Sequence, residues 1–227
     1  MSRIEESKAA AKEERRTAMG KLKIQRMVLG PVRTNCYLAV NQETKECFVV
    51  DPADMAGLIL TEIKEENLTA RAVLLTHGHY DHIGAAEELR TALKIPIYAS
   101  EMELPTLADT EKNLSAMFGH PMTVKADRGL KDGEVLGIAG FSVQVFQTPG
   151  HTPGGACYYL EEEKTLFSGD TLFAGSVGRS DFPGGSARTL QDSVRRLFRE
   201  LPEDTNVYPG HESETDIGYE KRYNPYA

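Results

Sequence analysis

The sequence lacks the features that mark secreted, membrane and nucleic-acid-binding chains. Its 227 residues contain only three cysteines, Cys36, Cys47 and Cys157. That odd number, at that spacing, fits neither a zinc ribbon nor a disulfide framework. Cys36 and Cys47 fall in apolar stretches of strand character, so buried free thiols in a reducing compartment are expected. No apolar run reaches the length of a transmembrane span. The N-terminus has no apolar signal-peptide core, and Glu5, Glu6, Glu13 and Glu14 are foreign to a transit peptide. A cytoplasmic protein without a membrane partner is expected. Basic residues are in the minority, 26 Lys and Arg against 34 Asp and Glu, for a net charge of −8. Such a surface repels a phosphate backbone and argues against nucleic acid as a partner. There is no Gly/Ser-rich linker and no repeat of solenoid period.

The hydrophobic content of 40% and charged content of 26% are those of a globular chain able to build a core without staples. Residues 1–20 stand apart. They are rich in Ala, Glu, Lys and Arg, which predicts a solvated helix or a disordered extension. Residues 21–227 then read as one domain.

Residues 35–40 and 46–50 are β-branched or aromatic runs around the turn Asn41-Gln42-Glu43-Thr44, which predicts a hairpin. Helical spacing at Leu58, Ile59 and Ile63 predicts a helix over 55–66. Residues 71–76 form a short apolar strand, followed by a helix over 83–93 and a strand over 95–98. The stretch 101–125 mixes short helices and loops. Strands are expected over 135–146 (two, joined at Ala139-Gly140), 156–160, 165–168 and 206–208, with an amphipathic helix over 187–201.

Five of the six histidines gather at the ends of these strands. The run His77-Gly78-His79-Tyr80-Asp81-His82 follows the strand at 71–76. A lone histidine is usually a hydrogen-bonded core or surface residue, and Asp81 alone would serve as a helix N-cap. Three imidazoles and a carboxylate in one short loop need a shared partner, and a divalent cation supplies one. Gly78 and Gly84 are read as giving this loop its conformational freedom. His151 sits in the turn Thr148-Pro149-Gly150-His151, Asp170 in Ser168-Gly169-Asp170 and His211 in Pro209-Gly210-His211. Each is an unremarkable turn alone. Together they repeat one pattern, a strand, a glycine and then a ligand-type side chain. His120 is left over.

In this order the residues resemble the metallo-β-lactamase superfamily pattern, from about Lys21 to the C-terminus. The resemblance implies a four-layer αββα sandwich of α/β (α+β) class. It implies that His77, His79 and His151 hold one metal, that Asp81, His82 and His211 hold a second, and that Asp170 bridges them. Gly169-Asp170-Thr171-Leu172-Phe173, Gly178-Arg179-Ser180-Asp181-Phe182-Pro183 and the tail at 217–226 look like the short, single-domain glyoxalase II-like hydrolases. The larger glyoxalase II enzymes carry a helical C-terminal domain that grips glutathione, whereas this chain runs only from His211 to Ala227. Asp181 stands where an aromatic contact is expected, and Glu212-Ser213 where the short enzymes more often have Gly-Pro.

The implied activity is hydrolysis of a small-molecule thioester of the S-2-hydroxyacylglutathione (S-lactoylglutathione) type by a metal-bridging hydroxide, with Asp81 and Asp170 as catalytic carboxylates. Nitrogen-rich ligation suits two zinc ions, and also iron or manganese. Asp51, at a strand end, either orients a ligand histidine or simply ends the strand. Arg179 either binds a substrate carboxylate through its planar fork or makes a surface salt bridge. Lys221 and Tyr219, with Arg222 and Tyr223, either line the same pocket or belong to a solvated helix. Two other activities stay open: an iron-dependent persulfide dioxygenase on the same fold, and a non-enzymatic metal-binding protein.

Overall fold

The structure is a computed structural model that describes residues 21–226; the charged extension at 1–20 lies outside them. The first sheet takes its strands in chain order: β1 (Leu22–Leu29), β2 (Thr34–Asn41), β3 (Glu46–Val50), β4 (Thr69–Leu74), β5 (Ile97–Ser100) and β6 (Arg128–Leu130). β1 to β3 are antiparallel, and β3 to β6 run parallel. Parallel neighbours need crossover connections. These carry helices α1 (Ala56–Glu65), α2 (Tyr80–Ile83), α3 (Ala86–Leu93) and α4 (Leu104–Leu107). The second half supplies β7 (Val135–Ile138), β8 (Phe141–Gln147), β9 (Ala156–Leu160), β10 (Thr165–Gly169), the hairpin β11 (Leu172–Phe173) and β12 (Ser176–Val177), helix α5 (Ala187–Glu200), β13 (Asn206–Pro209), β14 (Thr215–Asp216) and helix α6 (Ile217–Tyr223). Its sheet has the order β14-β13-β10-β9-β8-β7.

Side chains alternate across a strand, and β2 shows what that alternation does here. Cys36, Leu38 and Val40 pack with Ile59, Ile63 and Leu89 of the helices. Tyr37 and Ala39 point the other way, into a core shared with Val143, Val145, Tyr158 and Phe167 of the second sheet. On the outer face of that sheet, Phe146, Cys157, Tyr159 and Leu166 meet Val194, Leu197 and Phe198 of α5. Three apolar layers between four structural layers are the expected αββα sandwich. The three cysteines are buried and free, as read from the sequence. Phe167 is fully buried, with Tyr37 and Phe48 at ring-centroid distances of 5.4 and 6.1 Å. Burying such a ring contributes about 3 kcal/mol, and it fixes the strand end three residues before Asp170.

The helix expected over 83–93 is two pieces. At the break, Ala85 N donates to Pro52 O at 2.8 Å, and a Cβ on Gly84 would lie 2.3 Å from Ala53 O. Gly84 has ordinary helical dihedrals, so it supplies space for this approach and not unusual conformation. The short strands β6, β11, β12 and β14 were not expected, since two or three residues carry no period of their own. No helix among the described residues is long and apolar enough to cross a membrane.

Candidate metal centre

Every ligand candidate leaves a strand end on the same edge of the sandwich. The chain passes from β4 into Thr76 and His77, from β8 into His151, from β10 into Asp170 and from β13 into His211. The close approach at Gly210 requires glycine, because a Cβ there would lie 2.3 Å from Asp170 Oδ1 and 2.6 Å from His82 Cε1.

His77, His79 and His151 form one buried trio, and Asp81, His82 and His211 form a second. In the first, His151 Nε2 lies 2.9 Å from His79 Nδ1 and 3.2 Å from His77 Nε2. The outer nitrogens fix the tautomers. His151 Nδ1 donates to the carbonyl of Arg179 at 2.6 Å, which leaves Nε2 as a bare lone pair. Thr76 Oγ1 donates to Asp51 Oδ2 at 2.6 Å and so accepts from His77 Nδ1 at 3.2 Å, which bares His77 Nε2. Two lone pairs then face each other with no proton to share, and a cation satisfies both. Burial, reinforced by the neighbouring imidazoles, holds His77 well below its ordinary range and His79 down at about 3, which keeps both neutral and able to ligate.

The second trio has the opposite electrostatics. His82 Nδ1 donates to Asp51 Oδ2 at 2.9 Å, and its other nitrogen faces Asp170 Oδ1 at 3.4 Å and Asp81 Oδ2 at 3.5 Å. His82 Nε2 and Asp170 Oδ1 are buried with no hydrogen-bond partner. His211 Nε2 lies 3.3 Å from Asp81 Oδ2 and 3.6 Å from Asp170 Oδ2, and the latter oxygen is also 3.5 Å from His151 Nε2. Asp170 thus stands between the trios. Burial opposes a charge on His82, but Asp81, Asp170 and Asp51 outweigh it and push its pKa up to about 10. Burial would raise Asp81, yet His82, His211 and Thr34 hold it well below the usual carboxylate range. The donor set and the two orphaned buried atoms fit a pair of divalent cations. Loading the second position must displace the His82 proton. Metal binding at pH 8 is therefore expected to release protons, read as a dependence of calorimetric enthalpy on buffer ionisation. An enthalpy indifferent to the buffer would contradict this electrostatic account.

Asp51 takes the orienting place. Besides His82 it accepts from Thr76 N at 2.7 Å. Its backbone is left-handed, with φ of 48°, which costs a non-glycine residue about 1 kcal/mol. Three supports were not read from the sequence. Thr34, wholly buried, donates its hydroxyl to Asp81 Oδ2 at 2.9 Å. Asn35 Nδ2 and Tyr37 OH donate to Pro209 O at 2.9 and 2.7 Å and hold the loop that carries His211. Glu103, also wholly buried, accepts from Gly78 N, Thr152 Oγ1 and Gly154 N at 2.8, 3.0 and 2.8 Å. It joins the loop of His77 and His79 to the loop of His151. Thr34 beside a strand and Glu103 in a featureless stretch carry no local signal of these roles.

The expected substrate-binding residues fare differently. Arg179 borders the cavity of about 160 Å³ over the ligands, with Val32, Leu114, Phe118 and Phe182. Its guanidinium, however, is forked onto Asp181 through two contacts of 2.7 Å and lies 3.9 Å above the Phe182 ring. Lys221 pairs with Glu203 at 3.4 Å, Tyr219 packs on Tyr223, and neither borders that cavity. The reason is the face α6 presents. Ile217 and Glu220 point inward, where Glu220 accepts from Thr215, Gly175 and Asn224, so positions 219 and 221 to 223 point out. His120 is exposed on a neighbouring apolar cavity.

The family model described as the metallo-beta-lactamase superfamily matches residues 29–211. The chain belongs to this superfamily. Hydroxyacylglutathione hydrolase GloC of Haemophilus influenzae is 37% identical over 85% of this chain and 92% of its own. The crystal structure of BLEG-1 B3 metallo-beta-lactamase is 41% identical, with a TM-score of 0.85, over 90% of this chain and 99% of the other. That of TTHA1623 in a di-iron-bound form is 37% identical, with a TM-score of 0.79, over 89% and 100%. The superfamily metallohydrolase is an enzyme with a site suited to two metals.

Proposed function

We propose that the protein hydrolyses a thioester of a small thiol, of the S-2-hydroxyacylglutathione type, at a binuclear metal site. The observation that carries this reading is the placement of Asp170 between two complete trios, which fits a pair of cations and not a single one. The similarity to GloC supports the choice of thioester. The nitrogen-rich donor set favours zinc, and the di-iron form of TTHA1623 makes iron the alternative to measure.

Divalent cations held at these positions would lower the pKa of water towards about 7 and would polarise the substrate carbonyl. The chain's own residues do the rest. His77, His79 and His151 would hold the first position, and Asp81, His82 and His211 the second. Thr34 fixes Asp81 through Oδ2, leaving Oδ1 to orient the nucleophile. Val32, Leu114, Phe118 and Phe182 give the acyl group apolar walls. A thiolate with a pKa of about 8.5 departs without a dedicated acid, which suits a site that offers none.

The test is a metal analysis joined to three assays: S-lactoylglutathione hydrolysis, oxygen uptake on glutathione persulfide, and nitrocefin hydrolysis. Two metals per chain with thioester turnover dominant is the expected result. One iron with oxygen uptake, or nitrocefin as the preferred substrate, would remove the reading.

A further inference from the structure

We propose that the cavity beside His211 is a carboxylate-binding subsite formed by Arg33 and Arg26, which receives an anionic end of the substrate's thiol half. The cavity measures about 500 Å³ and is bordered by both arginines. That is ample for a carboxylate-bearing arm. It shares Val32 and His211 with the cavity over the metal ligands, so one molecule can occupy both.

The availability of the cations decides the matter. Arg179, the cation expected to bind substrate, already carries a carboxylate partner in Asp181. Among the described residues, neither Arg33 nor Arg26 has a carboxylate within ion-pair distance. Arg26 uses one donor, Nη1, on the Glu212 carbonyl at 3.3 Å, and Arg33 uses none of its side-chain donors. A guanidinium carries five N–H donors, so a carboxylate can be gripped by a free fork on each. Asn35 is not a competitor, since its amide protons are spent on Pro209 O and Glu212 O.

The turn between β1 and β2 also gives the site a direction. Val32 and Arg33 border this cavity, whereas Gly30 and Pro31 border a mostly apolar cavity of about 320 Å³ that meets the metal ligands at Asp81. The turn is closed by Arg33 N donating to Gly30 O at 3.3 Å, with φ of 71° at Gly30 and 63° at Arg33. A substrate across the metals therefore meets cations on one side of the turn and apolar surface on the other.

The assignment of this arm to a thiol rests on the thioester reading, and binding tests it separately from turnover. The metal-loaded protein is titrated with S-methylglutathione, a charged thioether that cannot be hydrolysed, and with neutral S-methyl-N-acetylcysteamine. Arg33→Gln is expected to weaken the charged thioether about tenfold, the loss of one charged hydrogen-bonded contact, with the neutral one unchanged and Arg33→Lys restoring part of the loss. In turnover, Arg33→Gln raises KM for S-lactoylglutathione by a similar factor and leaves kcat within twofold. No binding of S-methylglutathione to the wild type, equal binding by wild type and an Arg26→Gln/Arg33→Gln double variant, or sensitivity to Arg179→Gln instead would overturn the subsite. Arg33-dependent binding of the charged thioether without hydrolysis of any thioester would overturn the hydrolase reading and leave the subsite standing.

Discussion

Asp170→Ala is expected to bring metal content below one ion per chain and to lower thioester hydrolysis by at least about 10³-fold. Asp170 lies within 3.6 Å of ligands from both trios, at His82, His151 and His211. Its loss weakens both positions at once. Water not held by metal has a pKa of about 15.7 against about 7 when held, so the hydroxide supply falls by many orders and the stated factor is a floor. Folding separates this from trivial damage. Asp170 faces His82 and His211, and Asp51 stands behind His82. Without metal, Asp170 faces the protonated His82 that it helps to stabilise, so metal-free Asp170→Ala should still fold cooperatively and melt only modestly below metal-free wild type. The stabilisation gained from added metal should shrink, because that gain follows RT ln(1 + [L]/Kd). Full metal content with hydrolysis within tenfold of wild type would refute the bridging role.

The strands that position the site were legible because they are buried on one or both faces. β2, β9 and β10 read as apolar or β-branched runs for that reason. The candidate ligands were legible because each group follows such a run within a few residues. The division of the helix at Gly84 was not, since the cause is the Pro52–Ala53 backbone, thirty residues away in sequence. The two-residue strands exist only through their partners, as in the pairing of Asn206 and Val207 with Asp216 and Thr215.

The supports of the ligands escaped the sequence for the same reason. Thr34 meets Asp81 across 47 positions, and Glu103 meets Gly78, Thr152 and Gly154 across 25, 49 and 51. A threonine opening a strand or a glutamate before a proline-containing helix has many ordinary uses, and only the folded chain selects one. Arg179 does border the cavity over the ligands, and it makes a salt bridge as well. Its partner, Asp181, is two residues on, and the same Asp181 that breaks the glyoxalase II-like pattern forms an exposed ion pair with it. Lys221 and Tyr219 failed on helix phase, which is set by the burial of Glu220.

Glu103→Ala is expected to destabilise the protein by about 3–5 kcal/mol and to weaken metal binding about 10- to 100-fold. The first figure follows from three buried donors left without an acceptor, at about 1–3 kcal/mol each with partial relaxation. The second is the usual effect of losing a group that orients metal ligands. Glu103 touches no ligand, but it joins the loop before His79 to the loop after His151. Without it, the two halves of the first trio are tied only through the sheets. Glu103→Gln separates packing from charge, since it keeps the shape and puts an amide in place of one acceptor. A pH series adds a third reading. Burial, against the hydrogen bonds from Gly78, Thr152 and Gly154, raises the carboxyl from its usual 4.5 to about 7. A carboxyl raised on folding binds its proton more tightly in the native state, so its contribution to stability is greatest below about pH 4.5. That contribution is lost as pH rises through 7. The stability of wild type relative to Glu103→Gln should therefore fall across that window and level off above it. Metal affinity measured by chelator competition at pH 8, where the charge is in place, should rank wild type above Glu103→Gln and Glu103→Gln above Glu103→Ala. An Ala variant as stable and as tightly metal-binding as wild type would mean that the two histidine loops are held by the sheets alone.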